Sequence, residues 1–232
     1  MKKTYKIIGF DADDTLWVNE PYFHETEAKF IKLMASYGSA EYISKELYKT
    51  EMTNLADYGY GAKGYMLSMI ETVLRLNGNK EAGKIISEIV KLGKELINKP
   101  VILLEGVEDI LKKLIKKGCR LIVATKGDLK DQERKLFKSG LAEYFHHIEI
   151  MSDKKEDDYL DLLSHLDISP EDFLMIGNSL RSDILPVLAI GGSSIHIPFH
   201  TNWIHEKAEK PVDDDNFMEI KVLSELDKIL CI

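Results

Sequence analysis

From Glu105 onward, helical apolar stripes alternate with short β-branched runs, and that alternation admits few folds. Val107, Ile110, Leu111, Leu114 and Ile115 fall at i, i+3, i+4, i+7 and i+8, one face of a helix. Gly118 stops it, and Cys119 to Thr125 reads as a buried strand. A charged helix over about 129–139 follows, then a strand at Ile148-Glu149-Ile150. The next helix carries Tyr159, Leu160, Leu162, Leu163 and Leu166. Phe173 to Ile176 is a strand broken at Gly177, a short helix runs to Gly191-Gly192, and Ser194 to Ile197 is a last strand. Units of this kind build a parallel sheet covered by helices on both faces, an α/β fold of Rossmann-like type.

One strand lies apart from the rest. Ile7 to Phe10 is a short apolar run near the start, separated from the others by a block, Trp17 to Pro100, with helical stripes and no strand signal. Its stripes are Phe23, Phe30, Ile31, Met34; Met66, Met69, Ile70, Val73, Leu74; and Ile85, Ile86, Ile89, Val90, Leu96, Ile97. Turn signals at Tyr37-Gly38-Ser39, Tyr58 to Gly61 and Asn77-Gly78-Asn79 divide it into four helices. The expected organisation is a discontinuous α/β core, 1–16 and 101–232, with an all-helical cap, 17–100, inserted like a lid after the first strand.

Composition narrows the function. With 232 residues, 44% hydrophobic and 30% charged, the chain can bury a sizeable core. Its net charge of −8, with Lys and Arg scattered among acids, argues against nucleic acid as a partner. Cys119 and Cys231 make neither a disulfide framework nor a zinc site. The opening MKKTYKIIGF lacks a long apolar segment and no later run spans a bilayer, so no membrane association and a cytoplasmic location are expected.

The first strand runs directly into Asp11-Ala12-Asp13-Asp14-Thr15. Carboxylates crowded at a strand end repel one another unless a cation or a proton lies between them. A hard metal ion and a carboxylate nucleophile are the usual reasons to accept that cost. In open parallel sheets ligands bind beyond the carboxyl ends of the strands. The residues expected there are Asp11, Asp13 and Thr15; Thr125 to Asp128; Asp153-Lys154-Lys155; and Gly177-Asn178-Ser179 with Asp183. Two carboxylates, a hydroxyl, a lysine and a further amide or carboxylate suit a phosphoryl group with magnesium.

These motifs resemble, in order and over nearly the whole chain, those of the haloacid dehalogenase (HAD) superfamily of aspartate-nucleophile phosphotransferases. The family's DxDx(T/V) corresponds to Asp11–Thr15, its strand-terminal Thr or Ser to Thr125, its lysine to Lys154, and its acidic loop to Gly177 through Asp183. Asn178 departs from the pattern, standing where an Asp is common. The resemblance implies Asp11 as nucleophile, Asp13 as general acid and base, Thr125 and Lys154 as phosphoryl contacts. It implies Mg²⁺ held by Asp11, the Asp13 carbonyl, Asn178 and Asp183.

The expected activity is therefore a magnesium-dependent phosphatase acting on a small phosphorylated metabolite through an aspartyl-phosphate. A phosphomutase would keep the same residues, whereas a haloacid dehalogenase needs neither Asp13 as an acid nor a metal. A non-catalytic small-molecule-binding module is the reading from another class. Asp14 reads as a turn or cap residue, Asp183 equally as a helix cap or a metal contact, and Lys126 and Arg181 as surface residues. The histidines of the His196–His205 run read as structural. Nothing in the sequence selects one phosphomonoester or an oligomeric state.

Overall fold

A computed structural model of the chain describes residues 4–78, 82–201, 203–206, 208–212 and 214–230; Asn79 and Cys231 lie outside them. In chain order the strands and α-helices are β1 (Ile7–Phe10), α1 (Glu20–Leu33), α2 (Ala40–Tyr58), α3 (Ala62–Leu76), α4 (Gly83–Ile97), α5 (Val107–Lys116) and β2 (Arg120–Lys126). Then come α6 (Leu129–Ser139), β3 (His147–Met151), α7 (Glu156–His165), β4 (Phe173–Gly177), α8 (Leu185–Ala189), β5 (Ser193–His196), β6 (Phe217–Glu219) and α9 (Leu226–Leu230). The chain divides into two compact units: 1–20, 101–126 and 132–232 form one, and 21–100 with 127–131 the other.

The first unit holds a six-stranded, all-parallel sheet in the order β3-β2-β1-β4-β5-β6. This is the doubly wound order, and its switch point lies between β1 and β4. Alternation along the strands sorts side chains to two cores. Ile8, Phe10, Leu121, Val123, Leu174 and Ile176 pack with the apolar stripe of α5 and with Leu223 and Leu226. Ile7, Ile122, Ala124, Phe173 and Met175 pack on the other face with Tyr159, Leu162 and Leu163 of α7. Gly9 permits this second core: a Cβ there would stand 2.7 Å from the Phe173 ring. Trp17, buried to 1% exposure, belongs to the first core.

Three of the apolar helix residues leave the expected faces: Ile115 is 41%, Leu74 40% and Leu160 44% exposed, each beside the residue that carries the contact, Leu114, Val73 and Tyr159. The edge strand β6 was not expected. It has three residues, two of them exposed, so it shows no burial alternation.

In the second unit, α1 to α4 enclose their own core of Phe30, Met34, Ile43, Leu47, Met69, Val73, Ile89 and Leu96. Ser39 caps α2 through the Tyr42 N–H, and Gly59 closes it at φ +67°. Among the described residues no helix is long and apolar enough to cross a membrane.

One group in this unit is costly. Burial, and then the charge of Glu27, push the Glu51 carboxyl up to about 7. A carboxyl that titrates higher when folded than unfolded adds stability at low pH and loses it as pH rises from about 4.5 to about 7. Glu51→Gln should therefore raise the melting temperature at pH 8, at roughly 2–4 °C per kcal/mol gained. The gain should vanish near pH 4; melting curves at the two pH values check it, and an equal effect at both would contradict it.

Candidate active site

β1 pairs Phe10 with Val123 of β2 on one side and with Ile176 of β4 on the other. The next residue, Asp11, emerges level with Ala124 and Gly177, and its N–H still donates to the Ile176 carbonyl at 2.9 Å. Asp11 thus stands at the switch point, where the crevice of a doubly wound sheet opens.

Lys154, on the loop after β3, is buried to 3% and donates to Asp11 Oδ1 and Asp183 Oδ1, both at 2.6 Å. The neighbouring Lys155 instead pairs with Asp153 at the surface. Burial alone would lower the Lys154 pKa, but Asp11 and Asp183 reverse this and hold it well above its ordinary value. Asp11 is raised as well, which for a carboxyl favours the neutral form. Burial and the charge of Asp183 outweigh Lys154 and push Asp11 up to about 7. One ammonium shared between two carboxylates leaves a buried negative charge uncompensated.

Asp183 is reached through an unusual local turn. Ser179 Oγ accepts the Ser182 N–H, and residues Leu180–Ile184 form a single π-turn, a geometry frequent at functional sites. The turn brings Asp183 Oδ2 back to the Ser179 N–H at 2.9 Å. Both Asp183 oxygens are thereby engaged, one by Lys154 and one by the loop backbone.

Thr15 Oγ1 donates to Asp11 Oδ2 at 3.1 Å. The Asn178 amide faces the same point, and either its nitrogen or its oxygen can be turned toward it. With nitrogen inward it donates to Thr15 Oγ1, the Asp13 carbonyl and Asp11 Oδ2, each at 3.2 Å. With oxygen inward, the Asn178, Asp13 and Asp11 oxygens face one another, and a cation satisfies them. Oxygens ~3 Å apart are what octahedral ligation at about 2.1 Å requires. This donor set and the uncompensated charge fit a small hard cation. Among the described residues no group of three or more His, Cys, Asp or Glu offers a metal site.

The Asp13 side chain points elsewhere. Trp17 Nε1 donates to its Oδ1 at 2.7 Å, Gln132 Nε2 to its Oδ2 at 2.8 Å, and Lys135 Nζ to both at 2.7 Å. Trp17, Gln132 and Lys135 all donate to it, so the Asp13 carboxyl acts as an acceptor. Thr125, buried to 3%, is the penultimate residue of β2, opposite Ile150, outside the hydrogen-bonded network of Asp11, Thr15, Lys154, Asn178 and Asp183. Asp14, at φ 63°, accepts the Asn19 and Glu20 N–H groups and so caps α1. His196 is structural, held between Glu219 and the Asn178 carbonyl.

Sequence reading missed Gln132 and Lys135. They lie in a helix dense with charge, yet Gln132, Lys135 and Leu136 are its buried residues, and their i, i+3, i+4 spacing marks one face. Glu206 was also missed: it reaches Lys126 at 2.5 Å and Ser182 at 2.6 Å from the connection between β5 and β6.

The sheet is doubly wound, and a carboxylate–lysine cluster stands at its switch point. The haloacid dehalogenase-like hydrolase family matches residues 5–191, and the chain belongs to it. A haloacid dehalogenase-like hydrolase from Xanthomonas campestris is 36% identical, over 98% of this chain and 91% of that one, with a TM-score of 0.87. The mouse N-acylneuraminate-9-phosphatase is 26% identical over 162 residues, 68% of this chain. The chain spans 62% of that relative's length. A magnesium-bound HAD hydrolase from Bacillus subtilis (19% identical, TM-score 0.67, 99% and 100% of the two chains) shares the fold. So does L-2-haloacid dehalogenase from Xanthobacter autotrophicus (14%, TM-score 0.66, 98% and 99%).

Gly177 gives the loop its test. A Cβ there would overlap the Asp183 carboxylate. Gly177→Ala should therefore displace Asp183 and destabilise the chain by about 1–3 kcal/mol. Urea denaturation reads this, and an unchanged midpoint would mean that Asp183 does not occupy that space.

Proposed function

We propose that this hydrolase is a magnesium-dependent phosphatase that removes phosphate from a small phosphomonoester through an aspartyl-phosphate on Asp11. The observation that carries the reading is the arrangement of Asp11 itself. Its Oδ1 is held by the Lys154 ammonium, and its Oδ2 faces the Asp13 carbonyl and the Asn178 amide. A carboxylate so oriented is positioned as a nucleophile, and the neighbouring oxygens suit a hard metal.

In the first displacement an Asp11 oxygen bonds to phosphorus while the bond to the leaving oxygen breaks. The leaving oxygen takes a proton from Asp13 in its acid form. In the second, water attacks phosphorus, Asp13 takes its proton, and Asp11 is released. The form of Asp13 held by Trp17, Gln132 and Lys135 is the base needed for that second half. Lys154 offsets negative charge beside the reacting centre, and Thr125 supplies a hydroxyl to a phosphoryl oxygen.

Mg²⁺ would be held by Asp11, the Asp13 carbonyl and Asn178, and when bound it supplies positive charge that offsets repulsion between carboxylate and phosphate. Asp183 supports the site through Lys154 and the loop backbone. Residues 17–100 take the role of the substrate-selecting cap. Asp13 favours this reading over dehalogenation, which needs no proton donor at that place.

Phosphate release from a panel of metabolite phosphates and an aryl phosphate tests the proposal. Turnover should require Mg²⁺ and cease with a chelator, and Asp11→Asn should lower kcat by about a thousandfold or more without loss of folding. Retained turnover in Asp11→Asn would remove Asp11 as nucleophile, and full activity without metal would favour the dehalogenase chemistry.

A further inference from the structure

A second polar cluster adjoins the first and the mechanism does not use it. Lys126 directly follows Thr125, and Ser179 directly follows Asn178. Glu206, on the one-turn 3₁₀ helix Ile204–Glu206, reaches between them. Its Oε1 accepts from Lys126 Nζ at 2.5 Å, and its Oε2 accepts from Ser182 Oγ at 2.6 Å and from Ser179 Oγ. Lys126 Nζ also donates to Ser182 Oγ at 2.8 Å. The Lys126 and Glu206 side chains are each only 15% exposed.

Burying an ion pair costs desolvation that its mutual attraction seldom repays in full, so stability is a poor reason for this one. Its chemistry is more telling. One ammonium and two hydroxyls grip both oxygens of a carboxylate, one residue away from Thr125 on one strand end and from Asn178 on another. That is an anion cradle beside the phosphoryl site, filled by the chain's own side chain.

We infer that Lys126, Ser179 and Ser182 form a second anion subsite, that its ligand is the carboxylate of a carboxylated phosphomonoester, and that Glu206 is its resident stand-in. The inference rests on the phosphatase reading and names the substrate class within it. A substrate carboxylate and Glu206 cannot share one ammonium without repulsion, so the substrate group displaces the Glu206 side chain. In its absence Glu206 neutralises Lys126.

The probes are 3-phosphoglycerate and glycerol 3-phosphate, which differ by a carboxylate against a hydroxymethyl group. Calorimetric titration in Mg²⁺ would compare both on Asp11→Asn protein, alone and combined with Glu206→Gln, Lys126→Met or Lys126→Arg. Glu206→Gln should tighten 3-phosphoglycerate about tenfold more than glycerol 3-phosphate, since like charges no longer compete. Lys126→Met should erase the preference and Lys126→Arg should restore part of it. A preference unchanged by both Glu206→Gln and Lys126→Met would overturn the subsite, as would the absence of 3-phosphoglycerate binding to the Glu206→Gln protein. Phosphate release by the chain with Asp11 intact is read separately, so failure of the phosphatase reading shows there and not in the binding preference.

Discussion

Lys154 is shared by two buried carboxylates, and the site is organised around that inequality. Asp11 and Asp183 both reach its ammonium at 2.6 Å, and none of the three side chains is more than 10% exposed. One positive charge cannot balance two negative ones in a medium that screens poorly. Burial, and then the charge of Asp183, raise Asp11, whose second oxygen faces away from Lys154. That side is where the Asp13 carbonyl and the Asn178 amide converge. The proposed nucleophile, its lysine and the oxygens proposed to hold a metal all meet at this one shared ammonium.

The fold keeps the imbalance in place. Asp11 leaves the central strand β1 while its backbone is still bonded to β4, so its position is fixed by the sheet. Gly9 lets Phe173 cross β1, and Gly177 leaves room for Asp183 beneath β4. The two glycines are where the sheet gives up side-chain packing to admit another group. Lys154 and Asp183 reach the centre from loops, but each is tied to backbone or buried among donors, so loop mobility is spent before the site is reached.

Much of this was legible in the sequence because it is periodic or local. β1, β2, β4 and the stripe of α5 carry strong apolar patterns, and Asp11 to Thr15 is a contiguous motif. Lys154 and Lys155 were separable only by burial, which a run of charges such as 153–158 conceals. Gln132 and Lys135 were hidden for a related reason: a polar side chain on the inner face of a charged helix looks like its solvated neighbours until Asp13 is seen to need it. Glu206 had no local signal at all, since it meets Lys126 across 80 positions of sequence. Asp183 illustrates the opposite limit. Its place in the loop was readable, but its attachment to Lys154 and Ser179 depends on a π-turn that no residue pattern announces.

The most direct measurement of the account is the identity of the atom that carries phosphate during turnover. Rapid acid quenching of the enzyme reacting with a phosphomonoester in Mg²⁺, followed by peptide mass spectrometry, should find the added mass of one phosphoryl group on Asp11. The adduct should be absent from Asp11→Asn protein. Turnover with no protein-bound phosphate, or an adduct on any other residue, would contradict it.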